Sequence, residues 1–157
     1  MDARIQQILH NLKESFNGTP WYGMAVLTKL EAVDWQQVNE KKYGEKSIAI
    51  LVQHMINWRV FVLKKLQGDA LYDLIVDSDG DWTLLTIHNE QEWKELLKSL
   101  KQTQEELVQT LSGRTDKILE QTVPGKNYRF GPILTSIAQH DIYHLGQIAM
   151  LSSSKAL

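Results

Sequence analysis

The sequence predicts an all-α fold, an antiparallel four-helix bundle with a decorated crossover between the second and third main helices. Three observations predict it. Apolar residues recur at helical spacing through four segments of about 15–23 residues each. Each of these segments carries a polar face opposite its apolar stripe, the pattern of a helix that buries one side against its neighbours. The chain also shows no internal repeat, low-complexity tract or linker long enough to separate two domains, so residues 1–157 read as one domain.

Ile5, Ile8, Leu9, Leu12 and Phe16 define the first helix, which stops near Gly18. Thr19-Pro20 reads as an N-cap followed by Pro at the first helical position, starting a short second segment that runs to about Val33. Asp34, Asn39, Gly44 and several charges mark residues 34–45 as a loop. The next long helix runs from about Ser47 to Leu66 and ends at Gly68. Its stripe is Ile48, Leu51, Met55, Trp58, Val62 and Leu66. Asp77-Ser78-Asp79-Gly80-Asp81 is a turn signal, so residues 69–88 form either a small hairpin or an irregular loop. Asn89, with Glu92 three residues on, is a capping-box pattern. It opens a helix through Trp93, Leu96, Leu97, Leu100, Leu107 and Leu111, closed by Ser112-Gly113. Turn-rich residues around Pro124-Gly125 lead to Gly131-Pro132 and a final helix over about 132–152.

Composition narrows the function. With 43 % hydrophobic and 23 % charged residues, the chain is neither disordered nor collagen-like. The absence of Cys removes disulfides, thiolate metal ligands, iron–sulfur clusters and a cysteine nucleophile. A formal charge of −2 offers none of the basic surplus expected of a nucleic-acid binder. The longest apolar run, Ile48 to Val52, is far short of the roughly 20 residues of a membrane span. Met1-Asp2-Ala3-Arg4-Ile5 has no secretory h-region, so a soluble, cytoplasmic protein is expected. Its expected partner is a small-molecule substrate rather than nucleic acid or membrane.

The informative residues are histidines at core positions. At about 100° per residue, His140 and His144 fall within about 20° of the centre of the last helix's apolar stripe. Their i, i+4 spacing sets the rings side by side, one turn apart. Two basic rings in one apolar stripe both need partners, and one shared divalent metal ion satisfies both, since neutral imidazole is a standard zinc or nickel ligand. His54 lies between Leu51 and Trp58 on the inward stripe of its own helix. Alone it fits a hydrogen-bonded core residue. With the pair it supplies a third ligand and leaves a position open. His10 and His88 fall outside this set.

His140-Asp141-Ile142-Tyr143-His144 has the spacing of the zincin helix, with Asp for Glu. A protease is excluded because no His, Asp or Glu follows His144 to act as the third zincin ligand. Asp77, Asp79 and Asp81 resemble an EF-hand start, but Trp82 and His88 stand where that loop needs Gly and Glu, so a solvated turn is expected. Lys41-Lys42 and Lys64-Lys65 read as solvated pairs, and Trp58 and Trp93 as core.

His54 together with the stretch His140-Asp141-Ile142-Tyr143-His144-Leu145-Gly146-Gln147-Ile148 resembles the DinB/YfiT-like superfamily. Pro20-Trp21-Tyr22-Gly23, Ser47-Ile48, Trp58, Asp81-Trp82 and Glu92-Trp93 extend the similarity over most of the chain. The resemblance implies a divalent metal, zinc or nickel, bound by His54, His140 and His144 in a four-helix bundle, with water completing its shell. Asp141, Tyr143 and Gln147 are implied as neighbours that support the ligands, Asp141 with an alternative facing solvent. Homodimers are common in such families.

The resemblance further implies a metal-dependent enzyme. In one form it is a bacillithiol-type S-transferase activating a thiol, which must come from outside a chain without Cys. In another it is a hydrolase activating water, and in a third the bundle binds metal without catalysis. In all three, metal affinity is expected to fall below about pH 6 as the histidines protonate.

Overall fold

The stripe at Ile5, Ile8, Leu9, Leu12 and Phe16 forms α1 (Ala3–Asn17), and all five side chains are buried. The computed structural model describes residues 2–153. α1 ends at Gly18, whose N–H reaches the Glu14 carbonyl. The helix expected to start at Thr19-Pro20 does not form there. A turn closes instead from the Gly23 N–H to the Pro20 carbonyl, and Gly23 takes φ 143°, which no helix can pass through. Helix resumes only at α2 (Val26–Glu31), with Ala25 at its N-cap. Residues 34–45 contain a 3-10 turn, Trp35–Gln37, capped by the Asp34 carboxylate, which accepts the Gln36 N–H.

α3 (Ile48–Leu66) begins where the Ser47 hydroxyl accepts the Ile50 N–H. It is buried well beyond its expected stripe, with Ala49, Ile50, Val52 and Ile56 also covered. α4 (Glu90–Ser112) starts with the Asn89 side chain accepting the Glu92 N–H. The Glu92 carboxylate takes the His88 N–H at 2.7 Å and the Asn89 amide, one residue earlier than a standard capping box would. α5 (Phe130–Leu151) is the last helix. Among the described residues there is no strand, so residues 69–88 are the irregular loop of the two alternatives. No described helix is long and apolar enough to cross a membrane.

The observed architecture is thus the all-α bundle the sequence predicts. α3 packs on α4 and α5, and α1 packs on α4 and α5. One core cluster joins Phe16 to the first half of α3, the first half of α4 and the end of α5. The other joins Ile5 and Leu12 to the second halves of α3 and α4 and the start of α5. α3 therefore runs antiparallel to α5 but in the same sense as α4, so the bundle is not antiparallel throughout, contrary to the sequence expectation. The connection between α3 and α4 must return along the bundle's length, and residues 67–89 do so.

That crossover is tied down at both ends. Asn39 pairs with Ile87 through two hydrogen bonds, of 2.7 and 2.9 Å. At the other end Lys65, expected to be solvated, is 1 % exposed. Its ammonium donates to the Asp69 and Ala70 carbonyls just past α3, an end-capping use of a long side chain.

Candidate metal centre

Because α3 and α5 are antiparallel, the first half of α3 faces the second half of α5. His54 comes from α3, and His140 and His144 come from successive turns of α5. The Nε2 of His140 lies 3.0 Å from the Nε2 of His54 and 3.0 Å from that of His144. Two donors each about 2.0–2.1 Å from one ion lie roughly 2.9–3.4 Å apart, so these spacings suit a shared metal. His54 and His144 are buried and His140 is half-buried.

The outer nitrogens decide what the inner ones can do. His54 Nδ1 is 2.7 Å from the Asp81 carboxylate, which only accepts, so Nδ1 carries the proton and Nε2 a bare lone pair. His144 Nδ1 is 2.6 Å from Gln147 Oε1, with the same consequence. Both lone pairs face His140, which has at most one Nε2 proton to offer. Three imidazoles in this arrangement cannot satisfy one another, whereas a cation satisfies all three. The donor set fits a divalent metal, and the three histidines could hold one.

Asp81 reaches His54 because the crossover is pinned to α3. Asn57 donates to the Gly80 carbonyl at 2.8 Å and to Thr83 Oγ1 at 3.1 Å. Asp81 also accepts from Trp58 Nε1 at 2.9 Å and from the Asp77 N–H at 2.9 Å, so its carboxylate is fully engaged. Trp82, next in the chain, stacks parallel on the His54 ring at 3.8 Å. Lys46 sits over the outer face of Trp82, 4.0 Å from the ring centroid.

Of the predicted site residues, His54, His140, His144 and Gln147 come together. Tyr143 is mostly exposed, its ring 5.1 Å from that of His144. Asp141 points the other way. It is 0 % exposed and forms a two-bond ion pair with Arg59, at 3.0 and 2.5 Å. His10 and His88 are exposed and apart from the site. Asp81, expected in a solvated turn, is 2 % exposed and belongs to the site. The one sequence signal for it is the Asp81-Trp82 pair within the family-like pattern. Arg59, amid an apolar stripe, gave no signal of its role.

Burial, reinforced by His144, His54 and Arg59, holds the metal-free His140 imidazole down to about 3. His144 is held at about 4, mainly by burial, against the opposing hydrogen bond that its ring donates to Gln147. Burial also lowers His54, against Asp81. An unfolded imidazole titrates near 6.5, so below that pH the unfolded chain binds more protons than the folded one. Metal-free stability is therefore full above about pH 6.5 and declines as the pH falls towards about 3–4. Urea midpoints of metal-free protein should drop between pH 7 and 5, and less so in His140→Gln. A midpoint independent of pH over that range would contradict these environments. With all three imidazoles held below their ordinary range by burial, proton competition for a metal sets in at lower pH than it would at exposed histidines.

A sequence model of the family described as the DinB superfamily matches residues 23–148. No curated protein and no solved structure matches the chain.

Proposed function

The chain belongs to the DinB superfamily, and from that premise we propose that it is a metal-dependent enzyme whose three-His site activates a thiol supplied from outside the chain. One observation carries this reading: the convergence of three Nε2 atoms, two of them left as bare lone pairs by Asp81 and Gln147. A zinc or nickel ion held there would supply Lewis acidity, which lowers the pKa of a thiol or of water towards neutral pH.

The chain's own residues favour the thiol. Hydrolysis calls for an acid to protonate the leaving group. The two buried carboxylates of this region are committed elsewhere, Asp81 to His54 and Trp58, and Asp141 to Arg59. A thiolate needs no such partner when it displaces a good leaving group. Its sulfur bonds to the electrophilic carbon, the leaving group departs with the bonding pair, and the thiol proton goes to solvent. His54 and His144 are held in one tautomer throughout, and Trp82 covers the ring of His54.

The test is conjugation of bacillithiol or a similar small thiol to 1-chloro-2,4-dinitrobenzene by protein loaded with zinc or nickel. Turnover should scale with bound metal and fall at least tenfold in His144→Ala. Unchanged turnover in that variant would end the proposal, as would metal-dependent ester cleavage without any thiol.

A further inference from the structure

Beside the histidines lies an apolar cleft. It opens between α3 and α5, has a volume of about 210 Å³, and is walled by Met55, Trp58, Val62, Ile133, Ile137 and the ring of His140. Two other side chains border it, Arg59 and Ser136.

Every polar group bordering it on the α3 side is already engaged. The five N–H bonds of the Arg59 guanidinium go to Asp141, Gln104 and the Met55 carbonyl. Trp58 Nε1 donates to Asp81. On the α5 side the Ser136 hydroxyl donates to the Pro132 carbonyl at 2.7 Å. The one polar atom left over is His140 Nδ1, which has no hydrogen-bond partner among the described residues, so a charged or strongly polar occupant would lose its hydration and gain at most that single contact. An apolar one gains by leaving water.

We infer that this cleft seats an uncharged, apolar group of the substrate, the size of one aromatic ring with a short alkyl substituent. An apolar cavity of about 150 Å³ is enough for benzene, so a volume of about 210 Å³ allows slightly more. His140 forms part of both the cleft wall and the triad, so the seated group abuts the reacting centre. The inference rests on the proposed function for that last step, since it places the electrophile's apolar part here and its reacting carbon towards the histidines. The seat itself does not depend on a metal.

The experiment is a titration of the full chain, labelled with ¹³C at Met, Ile and Val methyls, with toluene and separately with benzoate, followed by NMR. Metal content is measured on the same samples. Toluene should give saturable shifts centred on Met55, Val62, Ile133 and Ile137, and benzoate none at equal concentration. Ser136→Trp, at an exposed rim position, should weaken toluene binding at least tenfold with metal content unchanged. Ile133→Phe, which fills the cleft from its wall, should do the same. Absence of saturable shifts, equal response to benzoate, or undiminished toluene binding in both variants overturns the inference. Toluene binding in protein that takes up no metal would instead sustain the apolar seat and overturn the enzymatic reading.

Discussion

Asp141→Ala should cost about 3–5 kcal/mol of folding stability, the penalty of leaving a buried charge without its partner. The charge left behind is Arg59, 1 % exposed, and it sits at the hub of a network reaching all four long helices. Arg59 on α3 holds Asp141 on α5 and Gln104 on α4. The Gln104 amide in turn donates to the Leu12 carbonyl on α1 at 2.9 Å. Surface pairs such as Arg4–Glu120 and Lys101–Glu31 are exposed, and their loss should cost no more than about 1 kcal/mol. Replacing both buried partners, in Arg59→Met with Asp141→Leu, should recover most of the loss, because an apolar pair needs no solvation. Urea denaturation of the three proteins checks this. A loss below about 1 kcal/mol in Asp141→Ala would show that Arg59 is not left as an uncompensated buried charge.

Metal affinity should fall in a graded way across the triad and its supports. His140→Ala removes the nitrogen that lies 3.0 Å from both other donors, leaving two ligands. Its affinity for zinc or nickel should drop by more than about 100-fold, beyond the 10–100-fold typical of losing an orienting partner. Asp81→Asn should fall within that smaller range. It keeps an acceptor for His54 Nδ1 but not the negative charge that raises the ring's basicity. Competition with a chromophoric chelator measures both, and circular dichroism confirms the helices. Wild-type affinity in His140→Ala would remove the basis for a shared ion.

The helices and the three histidines were legible in the sequence because period 3.6 is a local signal. His140 and His144 sit in an apolar stripe, and so does His54, where a polar ring is conspicuous. What escaped depended on partners distant in sequence. Asp81 lies among four other turn-forming residues, and His54, Asn57 and Trp58, more than twenty residues earlier, take it out of water. Asp141 flanks a ligand in sequence but falls on the far side of α5, where Arg59 waits 82 residues away. Lys65 departs from its solvated expectation for a related reason: the carbonyls it caps belong to a loop whose path no periodicity predicts. The false start at Thr19-Pro20 was local. The signal there was real, but Gly23 overrode it.

The returning segment between α3 and α4 divides labour within the protein. The rods contribute the nitrogens, while this strap contributes the carboxylate and the indole that press on one of them. Its stretch around Ile75, Val76 and Leu84 is exposed and carries little of the core. Changes at Asp81 or Trp82 would alter the electronic character of the His54 ring while the helical scaffold beneath stayed the same.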